Sequence, residues 1–553
     1  MGAFWLVCAF SSHTNFFYAG VVELVDAPDS KSGEGNLVRV RVSPPAFFIS
    51  LSFYSSVKHR RPPANPNSPK PSRQSPVSQQ PSLPIQPAIT LARRVSFDAL
   101  MFVEQGDFLD SDVLDGFLQK ALREGTGNAG HREADRRLAQ EITFGVLRWR
   151  GWLDHQIARL ASRSLQHIEP AVRTALRMGL YQIAFLSRVP ESAAVNESVN
   201  LIKLQTQLVH LGGFTNAILR EALRQGIRFD ANVPLPEPTG RNWDELASLV
   251  SHPSWLLTHW ARQWSPARAI QIARSDNTIP NFYLWLNPLR APIDQTRQTL
   301  EQAGVQLQTA GNTPQTVQWM EGDFSALWPL VEQGAAYVQD AASQQVARWL
   351  GVQPGMRVLD CCAAPGGKTA QLAAQMNNRG ELIACDLHPR RVADLKNNCE
   401  RLGVTILTTG KVDFSQETLF ATAPKYLHLE PAGFDAVLVD APCSGTGTLR
   451  RHPEIKWKLT PQKLPELAEL QGRILENAAQ AVKPGGVLLY ATCSLEEKEG
   501  EEVVRRFRNR HPEFELEPPA DAGSALTSEK YLRTWPDAGP DGFFGARFRK
   551  RKH

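Results

Sequence analysis

Apolar residues recur at spacings of four, four and three in Val172, Leu176, Leu180 and Ile183. That period puts them on one face of a helix, and Pro170 stands where a first helical turn tolerates proline. Similar patterning predicts helices over Ser96–Gln105, Ser111–Glu124, Arg132–Arg148, Trp152–Leu160, Ala194–Gln207 and Thr215–Arg224, with breaks at Gly151 and Pro190. Residues 91–232 therefore read as an all-α bundle.

The pattern then changes. Pro234–Gly240 is a proline-rich joint. Phe282–Leu286 and Val305–Gln308 are strand-like and flank a helical stretch over Ile293–Ala303, which suggests a small α/β module within residues 233–333. From residue 334 to 553, short apolar runs alternate with helical segments: Val358–Leu359, Leu382–Cys385, Ile406–Val412, Ala436–Val439 and Val487–Tyr490. Such alternation predicts a doubly wound, mostly parallel, Rossmann-like sheet. The chain as a whole reads as multidomain: helical bundle, small α/β linker, doubly wound α/β domain.

Residues 1–90 follow neither pattern. Pro62–Pro87 holds nine prolines among Ser, Gln and Asn, a composition that builds no core and is expected to be disordered or polyproline-like. Val21–Pro45 resembles the conceptual translation of a tRNA gene, so the functional chain is expected to begin near Leu91. The alternative is a genuine disordered extension, and amino-terminal sequencing of the native protein separates the two.

Composition narrows the function classes. The net charge of +5 and pI near 8.8 suit a polyanionic partner without demanding one. Seven cysteines in 553 residues are too few for a disulfide scaffold. Six of them lie within Cys361–Cys493, where reduced, chemically useful thiols are the simpler reading. Neither a Cys-x-x-Cys pair nor a His-x-x-x-His pair occurs, so no metal is expected. No apolar run reaches the roughly 18 residues of a membrane span. Met1–Phe10 is apolar but lacks a cationic start, so a cytoplasmic protein is expected.

The motifs cluster at predicted strand ends, where doubly wound sheets bind ligands. Met356–Leu359 and Asp360 run into Cys361-Cys362-Ala363-Ala364-Pro365-Gly366-Gly367-Lys368. Glycines there allow close backbone approach to a ligand, and the helix that follows favours negative charge. The loop lacks the spacing of a Walker A motif or of a dinucleotide-binding Gly-x-Gly-x-x-Gly, which disfavours nucleotide hydrolysis. Asp386 ends the next strand, where a carboxylate can accept from a ribose diol. Asp413 ends another and could accept from an adenine amino group; for either Asp the bland reading is a cap or loop carboxylate.

Two further motifs carry thiols: Asp440-Ala441-Pro442-Cys443-Ser444-Gly445 and Thr492-Cys493-Ser494. An isolated cysteine is usually an inert, small core residue, the reading given to Cys361, Cys362, Cys385 and Cys399. A glycine turn with two motif-bound thiols instead fits covalent methylation of a pyrimidine. Thiolate addition at carbon 6 makes carbon 5 nucleophilic toward the sulfonium methyl of S-adenosylmethionine. A carboxylate near N3 and a group that handles the carbon-5 proton complete the requirement.

These motifs resemble the RNA cytosine-C5 methyltransferase family. The resemblance implies Cys493 as nucleophile, Cys443 as the thiol that assists product release and Asp440 as the catalytic carboxylate. It also implies that Cys362–Lys368, Asp386, Asp413 and Asp440 face S-adenosylmethionine. Gly447–Trp457 matches the family as well; Arg450, Arg451 and Lys456 are then candidates for RNA phosphates, and Trp457 for packing or stacking. Tyr337–Gln344 is a further match, and Ser251–Leu256 looks like the entry to the family's middle module. Two positions depart from the pattern. Leu284-Trp285-Leu286-Asn287 lacks the arginine common before the Val-Asn pair, and Gly500 stands between Glu499 and Glu501 where relatives usually carry Asn.

Upstream, Phe144–Arg148, Leu176–Gln182 and Asn216–Arg220 resemble a NusB-like RNA-binding domain. Its arginines Arg148, Arg150, Arg159, Arg173, Arg177 and Arg220 are read together as phosphate contacts, and singly as solvated helix surface. The combination is similar to the bacterial Fmu/Sun/RsmB group, which implies a monomer that methylates one cytosine of unassembled 16S rRNA, flipped from a single-stranded loop. A tRNA cytosine-C5 methyltransferase and a non-catalytic RNA-binding factor are the rival readings.

Overall fold

The computed structural model describes residues 89–106, 111–123, 132–311 and 313–552, together with four short strands nearer the amino terminus. These are β1 (Thr14–Phe16) with β4 (Ile49–Leu51), and β2 (Val22–Glu23) with β3 (Arg41–Val42). The proline-rich stretch and the expected start near Leu91 bear on residues that, those strands apart, lie outside the described set up to residue 88.

The bundle comprises α1 (Leu91–Glu104), α2 (Ser111–Arg123), α3 (Arg132–Ala161), α4 (Pro170–Phe185), α5 (Glu191–Lys203) and α6 (Gly212–Arg224). Val172, Leu176, Leu180 and Ile183 are all buried in one core with residues from the other helices. The break expected at Gly151 is instead a kink at Trp149 inside α3. Gly151 has another role. A Cβ there would come within 3.0 Å of Ser251 Cα and 3.1 Å of the Trp457 ring, so glycine lets the next modules approach α3.

Next come α7 (Trp243–Leu249), α8 (Ser254–Gln263) and α9 (Pro266–Asp276). A four-stranded antiparallel sheet follows, in the order β6 (Gln306–Thr309), β7 (Thr316–Glu321), β5 (Phe282–Leu286), β8 (Ala336–Val338), with α10 (Ile293–Gln302) and the short α11 (Trp328–Glu332). Every residue of β5 is buried, so the departing Leu284–Leu286 segment offers no side chain to RNA.

The remaining elements are α12 (Ala341–Leu350), β9 (Arg357–Asp360), α13 (Gly367–Gln375), β10 (Glu381–Asp386), α14 (Pro389–Arg401), β11 (Leu407–Lys411), α15 (Leu419–Thr422), β12 (Phe434–Asp440), α16 (Ile455–Lys458), α17 (Lys463–Ala481), β13 (Val482–Thr492), α18 (Glu501–Arg510), β14 (Phe514–Leu516), β15 (Leu532–Arg533) and β16 (Phe544–Lys550). The sheet order is β11-β10-β9-β12-β13-β16-β14. Its first five strands are parallel, and β16, β14 and β15 close the far edge antiparallel. Alternation along each strand splits the core into two faces. Val358, Leu382 and Leu438 pack with α12 and α13, whereas Leu359, Ile383 and Val437 pack with α17 on the other side.

The strand order reverses between β9 and β12. Chain leaving β9 turns toward α13 while chain leaving β12 turns the other way, which opens a crevice beyond both carboxyl ends. The glycine turn and the Asp440–Gly445 motif both begin there.

Candidate active site

One pocket gathers most of the residues singled out from sequence. Its lining includes Asp360, Cys362, Ala363, Ala364, Pro365, Gly367, Lys368, Asp386, Asp413, Asp440, Cys443 and Cys493. Gly366 lies one position behind the wall; its φ of +103° is a left-handed conformation that favours glycine, and it caps α13.

Four carboxylates stand at the carboxyl ends of four adjacent strands. Asp360, at the end of β9, accepts from Thr369 Oγ1 at 2.8 Å, and burial raises its pKa to about 7. Its other oxygen is buried without a protein partner. Asp386, at the end of β10, accepts from the His388 N–H at 3.2 Å and pairs with Arg391 at 3.2 Å. Asp413 follows β11. Burial opposes its ionisation, but hydrogen bonds from Ser415 and Gln416 outweigh that and lower its pKa. Asp440, at the end of β12, lies 2.7 Å from the Lys368 ammonium across the crevice.

A partnerless buried oxygen on Asp360, acceptors on Asp386 and Asp413 and a lysine-paired Asp440 suit a ligand rich in donors that also carries positive charge. The set therefore fits S-adenosylmethionine, with its ribose hydroxyls, amino groups and sulfonium. Among the described residues, no group of three or more His, Cys, Asp or Glu is placed to hold a metal ion. No described helix is long and apolar enough to cross a membrane.

The two motif thiols meet. Cys443 Sγ and Cys493 Sγ are 3.3 Å apart, although 50 residues separate them in sequence. Parallel pairing of β12 with β13, in which Asp440 faces Ala491, brings the two loops side by side. Both cysteines are buried against the protein yet border the pocket. Burial raises the pKa of the Cys361, Cys362, Cys385 and Cys399 thiols, which disfavours a thiolate at each of them.

Sequence reading missed Glu499. Its fully buried carboxylate accepts from Ser444 N–H at 2.9 Å and the Ser444 hydroxyl, from the Ser494 hydroxyl at 2.6 Å, and from Gln471 Nε2 at 2.8 Å. Ser444 follows Cys443 and Ser494 follows Cys493, so one carboxylate ties both thiol loops. Burial raises the pKa of Glu499 despite those hydrogen bonds. The available signal was a glutamate six residues after the second cysteine. The neighbouring Gly500 has a local explanation, since a Cβ there would come within 3.0–3.2 Å of the Phe544 ring.

The phosphate contacts expected of Arg450, Arg451 and Lys456 do not fit their placement. Arg450 is buried, donates to the Gly539 carbonyl at 2.9 Å and pairs with Asp541 at 3.4 Å. Arg451 is held by Asp340 at 2.9 Å and Asp541 at 2.8 Å. It borders the pocket, but its charge is already matched. Lys456 is 0% exposed. A charge already bonded within the protein gains little from a phosphate, and the buried Arg450 and Lys456 have no path to one. Trp457 packs rather than stacks on a base, donating Nε1–H to the Leu147 carbonyl at 2.6 Å.

The bundle's arginines divide similarly. Arg150, Arg173 and Arg177 gather on Glu104, and Arg177 also forms a two-pronged pair with Asp154. Arg148 donates to the Arg450 carbonyl at 2.8 Å. The collective reading of these arginines as phosphate contacts is corrected for these four, whose hydrogen bonds and ion pairs lie within the protein.

Comparison with known proteins agrees with this architecture. The family described as 16S rRNA methyltransferase RsmB/F matches residues 347–549, the NusB family matches residues 90–224, and the ferredoxin-like domain of RsmF/B-like methyltransferases matches residues 252–323. The ribosomal RNA small subunit methyltransferase B of Klebsiella pneumoniae (strain 342) is 31% identical over 452 residues, which cover 82% of this chain and 96% of that protein. Its namesake in Cronobacter sakazakii is 33% identical over 426 residues, 76% of this chain and 91% of that one. Among solved structures, that of PH0851 shares 27% identity and a TM-score of 0.65, covering 82% of this chain and 98% of that one.

Proposed function

The chain belongs to the RsmB/F methyltransferase family, and from that premise we propose that it methylates carbon 5 of a specific cytosine in 16S rRNA through a transient bond between Cys493 and carbon 6. The observation that carries this reading is the 3.3 Å approach of Cys443 and Cys493 at the edge of the carboxylate-lined pocket. Inert core cysteines need no buried carboxylate clamp shared between their two loops.

Asp360, Asp386 and Asp413 would hold S-adenosylmethionine, which would supply an electrophilic methyl group. Cys493 adds its sulfur to carbon 6 of the base, which pushes electron density onto carbon 5. Asp440 is the group assigned to N3, where a proton held between carboxylate and ring stabilises the adduct. Lys368, 2.7 Å away, keeps that carboxylate oriented. Methyl transfer would release S-adenosylhomocysteine; the carbon-5 proton then passes to a base, the part given to the Cys443 sulfur, and the carbon–sulfur bond breaks with its electrons returning to sulfur, so that Cys493 leaves as a thiolate. Cys443 lies where it can assist that release. The cytosine must leave its stack to reach a buried thiol, which favours unassembled, single-stranded rRNA.

Methyl transfer from labelled S-adenosylmethionine to naked 16S rRNA, assembled small subunits and tRNA, with wild type and Cys493→Ala, tests the reading. Label on one cytosine of naked 16S rRNA that disappears with Cys493→Ala is the expected result. Label mainly on tRNA would overturn the substrate, and no label anywhere would leave an RNA-binding factor.

A further inference from the structure

The loop that carries Cys493 is held from outside its own domain. Gln263, at the end of α8, donates Nε2–H to the Leu495 carbonyl at 2.7 Å and accepts the Glu497 N–H at 3.3 Å. Trp260, one turn earlier and fully buried, donates Nε1–H to the Glu496 carboxylate at 2.9 Å. His259 Nε2 lies 2.8 Å from the other oxygen of that carboxylate. Three consecutive residues, beginning two after Cys493, are thus bonded by a helix more than 230 positions upstream.

Apolar packing reinforces the contact. Leu256, Leu257 and Trp260 share one cluster with Leu495 and with Leu449 and Ile455, which follow the Cys443 motif. Apolar contacts alone tolerate sliding, whereas directional hydrogen bonds to main chain and to a buried carboxylate fix the loop in one register.

We propose that α8 is a positioning clamp for the Cys493 loop, with Trp260 and Gln263 setting where the thiol stands relative to Cys443 and the pocket. The middle module then takes part in the reaction by geometry: a displacement of α8 moves the loop that bears the nucleophile. The clamp's catalytic consequence rests on the function proposed above, but its effect on the Cys493 thiol does not.

Full-length Trp260→Phe and Gln263→Ala proteins test this. Trp260→Phe keeps the apolar body and removes the N–H; Gln263→Ala removes both loop contacts at a half-buried position and carries the test if the first variant fails to fold. The measurements are kcat, KM for S-adenosylmethionine, melting temperature and the rate at which iodoacetamide alkylates Cys493, followed by peptide mass. A misplaced reacting group costs rate more than binding, so kcat should fall about tenfold or more while KM stays within about twofold. Alkylation of Cys493 should change by about threefold or more, since thiol reactivity follows its surroundings. Lowered melting temperature with unchanged kcat and unchanged alkylation would overturn the clamp. Altered alkylation in a protein whose wild type methylates no cytosine would support the clamp and remove the function it was tied to.

Discussion

The Lys456 ammonium donates to the main-chain carbonyl of Arg148 at 2.9 Å, tying the thiol-bearing domain to α3 of the bundle. Its other acceptors are the Ser251 carbonyl and Asn277 Oδ1, each at 2.9 Å. Three donors on one ammonium thus meet acceptors contributed by the bundle and the middle module. Arg148 answers by donating to the Arg450 carbonyl, and Trp457 does so to the Leu147 carbonyl. Burial lowers the pKa of Lys456 to about 7, with Asp276 opposing the shift. The Arg450–Trp457 segment is therefore a joint between modules.

Replacing Lys456 with Met should leave the buried Ser251 carbonyl and the half-buried Asn277 Oδ1 without their donor. Each unsatisfied acceptor costs about 1–3 kcal/mol, so a loss on the order of 2–6 kcal/mol is expected by denaturant titration. A surface phosphate contact behaves differently: losing it lowers the slope of log affinity against log salt by about 1. For Lys456→Met the slope should match wild type, and a reduced slope with unchanged stability would restore the RNA-contact reading.

Why the strands and pocket were legible while this joint was not follows from the range of the signals. β9, β10, β12 and β13 announce themselves through local apolar runs, and the motifs sit at strand ends because doubly wound sheets put ligands there. The Cys443–Cys493 approach needed only the pairing of neighbouring strands. Lys456 carried no such local mark. Two of its partners lie 205 and 308 residues upstream, and a lysine between an isoleucine and a tryptophan looks like any solvated cation until the fold buries it. Gly151 misled for the same reason: its neighbours are Ser251 and Trp457, not its own helix.

Glu499 should tolerate an amide better than a truncation. Its Oε1 accepts two N–H donors, from Ser444 and Gln471, whereas Oε2 faces the Ser444 and Ser494 hydroxyls. A glutamine can keep its oxygen on the N–H side and donate to hydroxyls, which rotate to accept. Glu499→Gln should therefore retain methyl transfer to within about tenfold, while Glu499→Ala, leaving four donors without their acceptor, should lose about a hundredfold or more in kcat. Equal activity of the two variants in a labelled-methyl assay would show that the carboxylate does not set the thiol geometry.

Asp360 gives the unliganded protein a pH signature. Its pKa is about 7 when folded, against an ordinary value of 3.8. Between those values the folded chain holds a proton that the unfolded chain has lost, so stability from this group is present below about pH 4 and declines as pH rises to about 7. Asp360→Asn, which stays neutral, should remove that decline and exceed wild type at pH 8 by up to a few kcal/mol. Denaturant titrations of both proteins at pH 5 and pH 8 measure the difference. Parallel pH dependence would mean that Asp360 ionises normally in the fold.

The 3.3 Å between Cys443 and Cys493 makes their roles separable by what each variant accumulates. If Cys493 forms the bond to carbon 6 and Cys443 assists its cleavage, Cys443→Ala can still enter the covalent state but leaves it slowly. A protein–RNA band resistant to denaturant should then build up with S-adenosylmethionine and 16S rRNA, and vanish on RNase treatment. Cys493→Ala lacks the attacking sulfur and should give no such band, as should Cys443→Ala/Cys493→Ala. The reverse pattern, with the adduct in Cys493→Ala alone, would assign the nucleophile to the thiol that follows Pro442. Because both sulfurs border the same pocket, geometry permits either order, and only the trapped species tells which sulfur bonds to the base.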